Sequence, residues 1–283
     1  STGDGGVLHV GGSQSGAISA SSFVGNRAPA GSGGALYLAG GLASGIDGST
    51  FRENASSANG GAIYTGGALA VSGTSFEANE AASGGAIYNN GAALRITDCN
   101  FTDNAASASG GAILSQGCSV ALAVSAGATS EFLGNTAGGS GNSLQLNGAN
   151  LTVDTAAGGV LNMHDSMQGS GALSVLKQGG GLWNLANTST FSGATSFNVA
   201  EGTLQLSREN ISSSRAASGS ILLGGAGSTF SVATGATLMA GDDNGTPSDG
   251  NITLAAGSPI PNRDGHIDGH SRLALHLPYT HLP

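Results

Sequence analysis

Residues able to do chemistry are sparse and scattered. Asp47, Glu53, Glu77, Asp98, Asp103, Glu131 and Asp154 supply carboxylates along the first half of the chain. Glu53 and Asp103 each stand just before an Asn, and Glu77 follows a Phe. Acids aligned on successive turns of a coil would lie about 4.8 Å apart, the makings of a cation or sugar groove. The plain alternative is a solvated corner. Two carboxylates at the correct separation hydrolyse glycosides, but no spacing here fixes such a pair. The densest acidic cluster is Asp242, Asp243, Asn244 and Asp249. Calcium takes several oxygens from one flexible loop, yet the spacing is not that of an EF-hand and no Glu closes it, so a solvated loop is expected.

Nitrogen and sulfur ligands add little. His266, His270, His276 and His281 fall in one segment without a Cys pair at zinc-ligand spacing. His9 and His164 have no identifiable partners, and no G-x-S-x-G elbow accompanies the abundant serines. The glycine pairs carry no phosphate-loop Lys; Lys177 is the one lysine in the chain. No catalytic, cofactor-binding or metal-binding residue is expected, and no cofactor. Cys99 and Cys118 are too few for a disulfide scaffold. An exported chain meets an oxidising compartment, but repeat alignment puts the two about six residues apart along equivalent strands, roughly 20 Å. Only a local excursion in the longer repeat around Cys118 would bridge them, so a Cys99–Cys118 disulfide is left open.

What organises these residues is a repeat. G-G-A-[IL] stands at residues 33–36, 60–63, 84–87 and 110–113. F-x-x-N stands at Phe23–Asn26, Phe51–Asn54, Phe76–Asn79, Phe101–Asn104 and Phe132–Asn135. The period of roughly 25 residues is that of a solenoid. Segments between the motifs are short, apolar and β-competent, and none has helical periodicity. A coil of strands explains a fixed long period; hairpins do not. Equivalent strands then pair in parallel, with Ala62, Ile63 and Phe76 inward and each stacked on its counterparts. Asn79 and its equivalents sit at a corner, where Asn tolerates the left-handed region and side-chain amides bond from turn to turn. The Phe and Asn rows are read as scaffold.

The bulk numbers agree with an all-β chain of small residues. The chain has 283 residues, 51 of them Gly, and is 9% charged and 39% hydrophobic. Low charge with few aromatics can signal disorder, but the hydrophobics alternate. The net charge of −9 leaves no Lys/Arg stripe for nucleic acid and disfavours anionic membranes. No apolar run reaches the roughly 18 residues of a membrane helix, and no signal-peptide pattern opens the chain, as expected of a mature or excised fragment. Residues 1–135 form the G-G-A-[IL]/F-x-x-N array. Residues 136–240 lose both signatures and continue the coil with a different repeat. Residues 241–283 change to a His- and Pro-rich composition, expected to be an irregular tail or an expression scar.

Alternation of the two motifs resembles the repeats of chlamydial polymorphic outer-membrane proteins and related autotransporter passengers, over about residues 15–135. Residues 176–206 resemble the autotransporter-associated β-strand repeat through Lys177, Gly179, Gly181, Trp183, Leu185, Asn187, Thr188, Phe191, Gly193, Thr195, Val199, Gly202 and Leu204, with Ala186 where that pattern has Gly. The resemblance implies a single right-handed parallel β-helix, displayed on a Gram-negative cell surface or secreted from it. It also implies export through a C-terminal barrel, and membrane contact is expected only through such a barrel, which these residues do not include. The expected function is non-catalytic adhesion to glycans or proteins on host or neighbouring cells, or to the protein itself. A carbohydrate-active β-helix enzyme and a bare structural stalk are the alternatives.

Overall fold

The computed structural model describes residues 3–206, 220–224, 228–234, 236–240, 251–254, 266–267 and 274–276. The expected Asp242, Asp243, Asn244 and Asp249 loop, with His270 and His281, lies outside the described residues, as do the side chains of His266 and His276.

The chain is a right-handed parallel β-helix. One full turn runs Ile63–Thr65, Leu69–Ser72, Ser75–Glu77 and Glu80–Ser83 before the next begins at Ile87–Asn89. The four strands of a turn feed four sheets, designated A to D, with eleven, nine, ten and six strands among the described residues. Pairing within each sheet is parallel, always with the equivalent strand of the next turn, except at one hairpin. Right-handedness is the rule for parallel crossovers.

Three corners explain the motifs. At the first, the opening Gly of each G-G pair has positive φ: Gly33 (69°), Gly60 (67°), Gly84 (63°) and Gly110 (64°). The second Gly has no room for a side chain, since a Cβ on Gly61 would lie 2.1 Å from the Gly85 carbonyl oxygen. The Ala that follows is buried at Ala35, Ala62, Ala86 and Ala112. At the second corner, between sheets C and D, the residue before each Asn is left-handed: Gly25, Glu53, Ala78, Asp103 and Gly134. The third position of F-x-x-N is therefore the bend. At the third corner, between sheets B and C, Gly48, Gly73 and Asp98 take the same conformation.

Alternation along each strand fills the interior with like residues. Phe23, Phe51, Phe76, Phe101 and Phe132 are in register and stack with ring centroids 4.7, 5.1, 4.7 and 4.7 Å apart. Offset stacking of this kind contributes about 0.5–1.5 kcal/mol per pair beyond burial. Leu36, Ile63, Ile87, Ile113 and Leu144 form the matching column of sheet A.

Sheet D closes with an antiparallel hairpin, Thr136–Ala137 against Ser140–Gly141. Such a hairpin covers the edge strand that would otherwise be open to pairing. Beyond it each turn has three strands, as in Leu144–Asn147, Leu151–Thr155 and Val160–Met163. The stretch that resembles the autotransporter-associated repeat occupies five strands of this part, from Leu173–Gln178 to Thr203–Leu206. Trp183 and Phe197 are buried there and stack 5.8 Å apart. In the segment expected to be a tail, Asn251–Leu254 and Ala274–His276 pair within sheet A and His266–Ile267 within sheet C.

Candidate interaction face

From Asn54 to Asn135 each corner Asn both accepts and donates through its side chain. Asn79 Oδ1 accepts from Asn54 N (3.1 Å) and Asn54 Nδ2 (2.9 Å). Asn79 Nδ2 donates to Asn104 Oδ1 (2.9 Å) and to the Phe51 carbonyl (3.0 Å). The same pattern runs from Asn26 through Asn54, Asn79 and Asn104 to Asn135. All the amides therefore point their N–H groups the same way. The row ends on Asp165, a buried carboxylate whose Oδ2 accepts from Asn135 N (2.7 Å), Asn135 Nδ2 (3.3 Å) and Ser143 Oγ (3.1 Å). A carboxylate accepts without donating, so it can end a one-way row of amides. Fixed spacing gave no sign of Asp165, because it follows the Phe-equivalent Met163 by two residues where Asn135 follows Phe132 by three.

A second row runs along the sheet B–C corner. Ser21 N donates to Ser49 Oγ, and Ser49 N to Thr74 Oγ1. Cys99 takes the next place, its Sγ near the Thr97 carbonyl (3.2 Å), as Thr74 Oγ1 meets the Ser72 carbonyl. Burial pushes the Cys99 thiol up to about 12, against the backbone hydrogen bonds of Thr74 and Thr97 and with a smaller push from the charges of Asp98 and Asp47. Cys99 thus stands in for a hydroxyl in the scaffold. Both cysteines are free. The reason is register. Val120 is level with Leu94, so Cys118 is level with Ala92, seven residues before Cys99 on the adjacent turn. That is roughly 20 Å along a strand, far beyond the reach of about 7 Å that a disulfide spans.

The expected alignment of acids is corrected by the same register. Glu53 and Asp103 share a column, but Ala78 lies between them, and Glu77 is level with Arg52 and Thr102. Arg52 instead pairs with Glu53 (3.0 Å). Asp98 accepts from Ser125 N and Oγ, and Asp154 from Gln178 Nε2. These carboxylates serve the coil's own hydrogen bonds. Among the described residues no three of His, Cys, Asp and Glu gather to hold a metal ion.

Lys177 is fully buried. Its ammonium donates to the carbonyls of Gln178 (2.8 Å), Gly179 (2.7 Å) and Glu201 (3.1 Å). A Cβ on Gly202 would lie 2.9 Å from Nζ, so Gly202 makes the room. Burial lowers the Lys177 pKa to about 8 against the pull of Asp154 and Glu201. The cation is committed to the bend and offers nothing outward.

The outward surface that stands apart is that of sheet A. Among the described residues none of its eleven strands contains Lys, Arg, Asp or Glu, whereas sheet B carries Asp47, Arg95 and Asp154 besides the buried Lys177, sheet C Arg52, Glu77 and Glu131, and sheet D Arg27 and Glu80. Its central outward column begins His9, Tyr37, Tyr64, Tyr88. The tyrosine rings stack at 4.6 and 5.5 Å, His9 lies tilted over Tyr37 at 4.7 Å, and all are at least partly exposed. Burial and the neighbouring Tyr64 raise the Tyr37 pKa, with Asp4 adding to it. The column continues as Leu114, which is buried, and then Gln145, Gln168 and Thr190. Beside it run Gln116, Asn147 and Ser170, and Asn90, just past the strand Ile87–Asn89, donates its Nδ2 to the Tyr64 hydroxyl (3.4 Å). Gln145 Nε2 and Ser170 Oγ both donate to Asn147 Oδ1 (2.8 and 2.9 Å). The signal for this strip was in the sequence: a Tyr follows G-G-A-[IL] at Tyr37, Tyr64 and Tyr88, and its outward position follows from alternation with the buried Ile.

Comparison with known proteins bears on two turns of the coil. Residues 48–66 and 98–116 match the family model of the Chlamydia polymorphic membrane protein (Chlamydia_PMP) repeat. Each match begins at the sheet B–C corner, takes in F-x-x-N and G-G-A-I, and ends with the strand of sheet A. No curated protein and no solved structure matches the chain. The two turns thus carry repeats of the polymorphic membrane protein type, built into a parallel β-helix.

Proposed function

We propose that this chain is surface-exposed passenger sequence of an autotransporter, and that it acts as an adhesin without catalysis. The observation that carries the reading is the polymorphic membrane protein repeat on two turns of a continuous parallel β-helix. Such a coil suits display outside the cell. Its stability comes from contacts between neighbouring turns, and its long faces present the same groups many times over. Repeated weak contacts raise avidity without any single strong site. Asp47 and Asp98 support the non-catalytic part, because their carboxylates accept from Ser72 and Ser125 of the neighbouring turn, and the register keeps Glu53, Glu77 and Asp103 off adjacent positions of one column.

The test is direct. Purified protein is incubated with host cells and with bacterial cells, and in parallel with pectin, alginate and mixed glycans. Saturable cell binding without any sugar product supports adhesion. Release of product would replace this reading with that of a carbohydrate-active enzyme. Absence of binding and of turnover would leave a stalk.

A further inference from the structure

The strip on sheet A is a row of neutral groups on an acidic protein. We propose that it binds neutral oligosaccharide chains laid along the coil axis, an inference that rests on the adhesive reading and adds a place and a ligand class to it.

Charge comes first. The chain carries −9 overall, and among the described residues every charged strand residue lies on sheets B, C or D. An anionic ligand on sheet A would lose hydration with no opposite charge to replace it, within the repulsive field of the other faces. A neutral ligand meets neither penalty.

Hydrogen-bonding chemistry comes second. From Tyr37 to Ser170 the strip offers phenol hydroxyls, amides and one serine hydroxyl on turns about 4.8 Å apart; where the buried Leu114 interrupts the central column, Gln116 of the same turn supplies the polar group. Ring faces are closed by stacking at 4.6 and 5.5 Å, so the tyrosines present edges and hydroxyls. Asn90 and Gln168 are exposed. Sugar hydroxyls rotate and both donate and accept, so they can adapt to a fixed row of donors and acceptors. An extended chain of sugars also repeats on a scale close to one strand spacing, so each added sugar meets the next turn.

A second copy of the chain fits less well. Two rigid rows with rings already at stacking distance have no gaps in which to interdigitate. Interfaces between identical chains are also more apolar than this strip.

The experiment is calorimetric titration of the protein with cello-, chito- and lacto-series oligosaccharides from two to six sugars, beside their sulfated and sialylated counterparts. Binding should favour the neutral series and tighten with length. Asn90→Asp with Gln168→Glu places two charges on exposed positions without touching the core. It should weaken neutral binding about tenfold, the equivalent of 1.4 kcal/mol. Tyr64→Ala should weaken it as well, with folding checked by circular dichroism. Glu77→Gln, on sheet C, should change nothing. Stronger binding of the anionic series, or neutral binding indifferent to the sheet A substitutions, would overturn the proposal. So would a dimer in sedimentation that the same substitutions dissolve, since a second copy would then be the occupant. Intact cell binding with no neutral saccharide bound would overturn the ligand class and leave the adhesive reading standing. Loss of both would remove the adhesive reading too.

Discussion

Replacing Asn79 by Ala tests the corner row where the geometry is most complete. The substitution deletes one acceptor and one amide donor. Asn54 N–H loses the Oδ1 it bonds at 3.1 Å. The Phe51 carbonyl loses the Nδ2 donor at 3.0 Å. Asn54 Nδ2 keeps its bond to the Phe23 carbonyl, and Asn104 Oδ1 keeps the Asn79 backbone N–H at 3.1 Å. Two groups are therefore stripped in a fully buried corner. At about 1–3 kcal/mol for each buried unsatisfied group, the loss is about 2–6 kcal/mol, above what one unpaired neighbour would give. Asn26→Ala, at the partly exposed end of the row, should cost much less. Denaturant unfolding measures the difference, and hydrogen exchange at the Asn54 amide reports on the site itself. An Asn79→Ala protein with unchanged midpoint and unchanged Asn54 exchange would refute the corner-row argument.

Other expectations follow from the same corners. Ala78 holds φ at 52°, so Ala78→Gly should remove a left-handed penalty of about 1–2 kcal/mol. After the added unfolded-state freedom, a gain of several tenths to 1 kcal/mol should appear in melting. Cys99 should resist iodoacetamide at pH 8 in the folded protein while Cys118, less buried, reacts, and Cys99→Ser should shift stability by about 1 kcal/mol or less. Both thiols should titrate after denaturation; one oxidised pair would contradict the register argument. Lys177 has its folded pKa lowered to about 8 from 10.5. As pH rises above 8 the folded state sheds this proton first, so the unfolded state binds more protons and the contribution of Lys177 to stability rises. The gain is at most about 1.4 kcal/mol per pH unit. Unfolding between pH 7 and 9.5, compared with Lys177→Met, measures it; identical pH slopes would sink the assignment.

Much of the coil was legible because its columns repeat the same residue. Phe51, Phe76 and Phe101 recur every 25 positions, and a row of identical side chains announces itself. The hydroxyl row did not, since Ser49, Thr74 and Cys99 share a function without sharing a name. Asp165 was hidden by a turn shortened by one residue. The acids misled because sequence distance from a motif places a residue in a column, but not on adjacent turns: Ala78 separates Glu53 from Asp103. The tyrosine strip was overlooked for a different reason. Tyr64 sits inside an apolar run, and its meaning depends on which side of sheet A it occupies. The absence of charge from sheet A appears only when strands from eleven turns are gathered into one face.

The central claim is that successive turns lie one above another. Spin labels can measure this on the outward column of sheet C, where Val24, Arg52, Glu77, Thr102 and Leu133 are level, in a background with Cys99 and Cys118 replaced by Ser. Label separations from position 24 should grow by about 4.8 Å per turn on going to 77, 102 and 133. Separations that failed to increase in that order would contradict the coil and every column described on it.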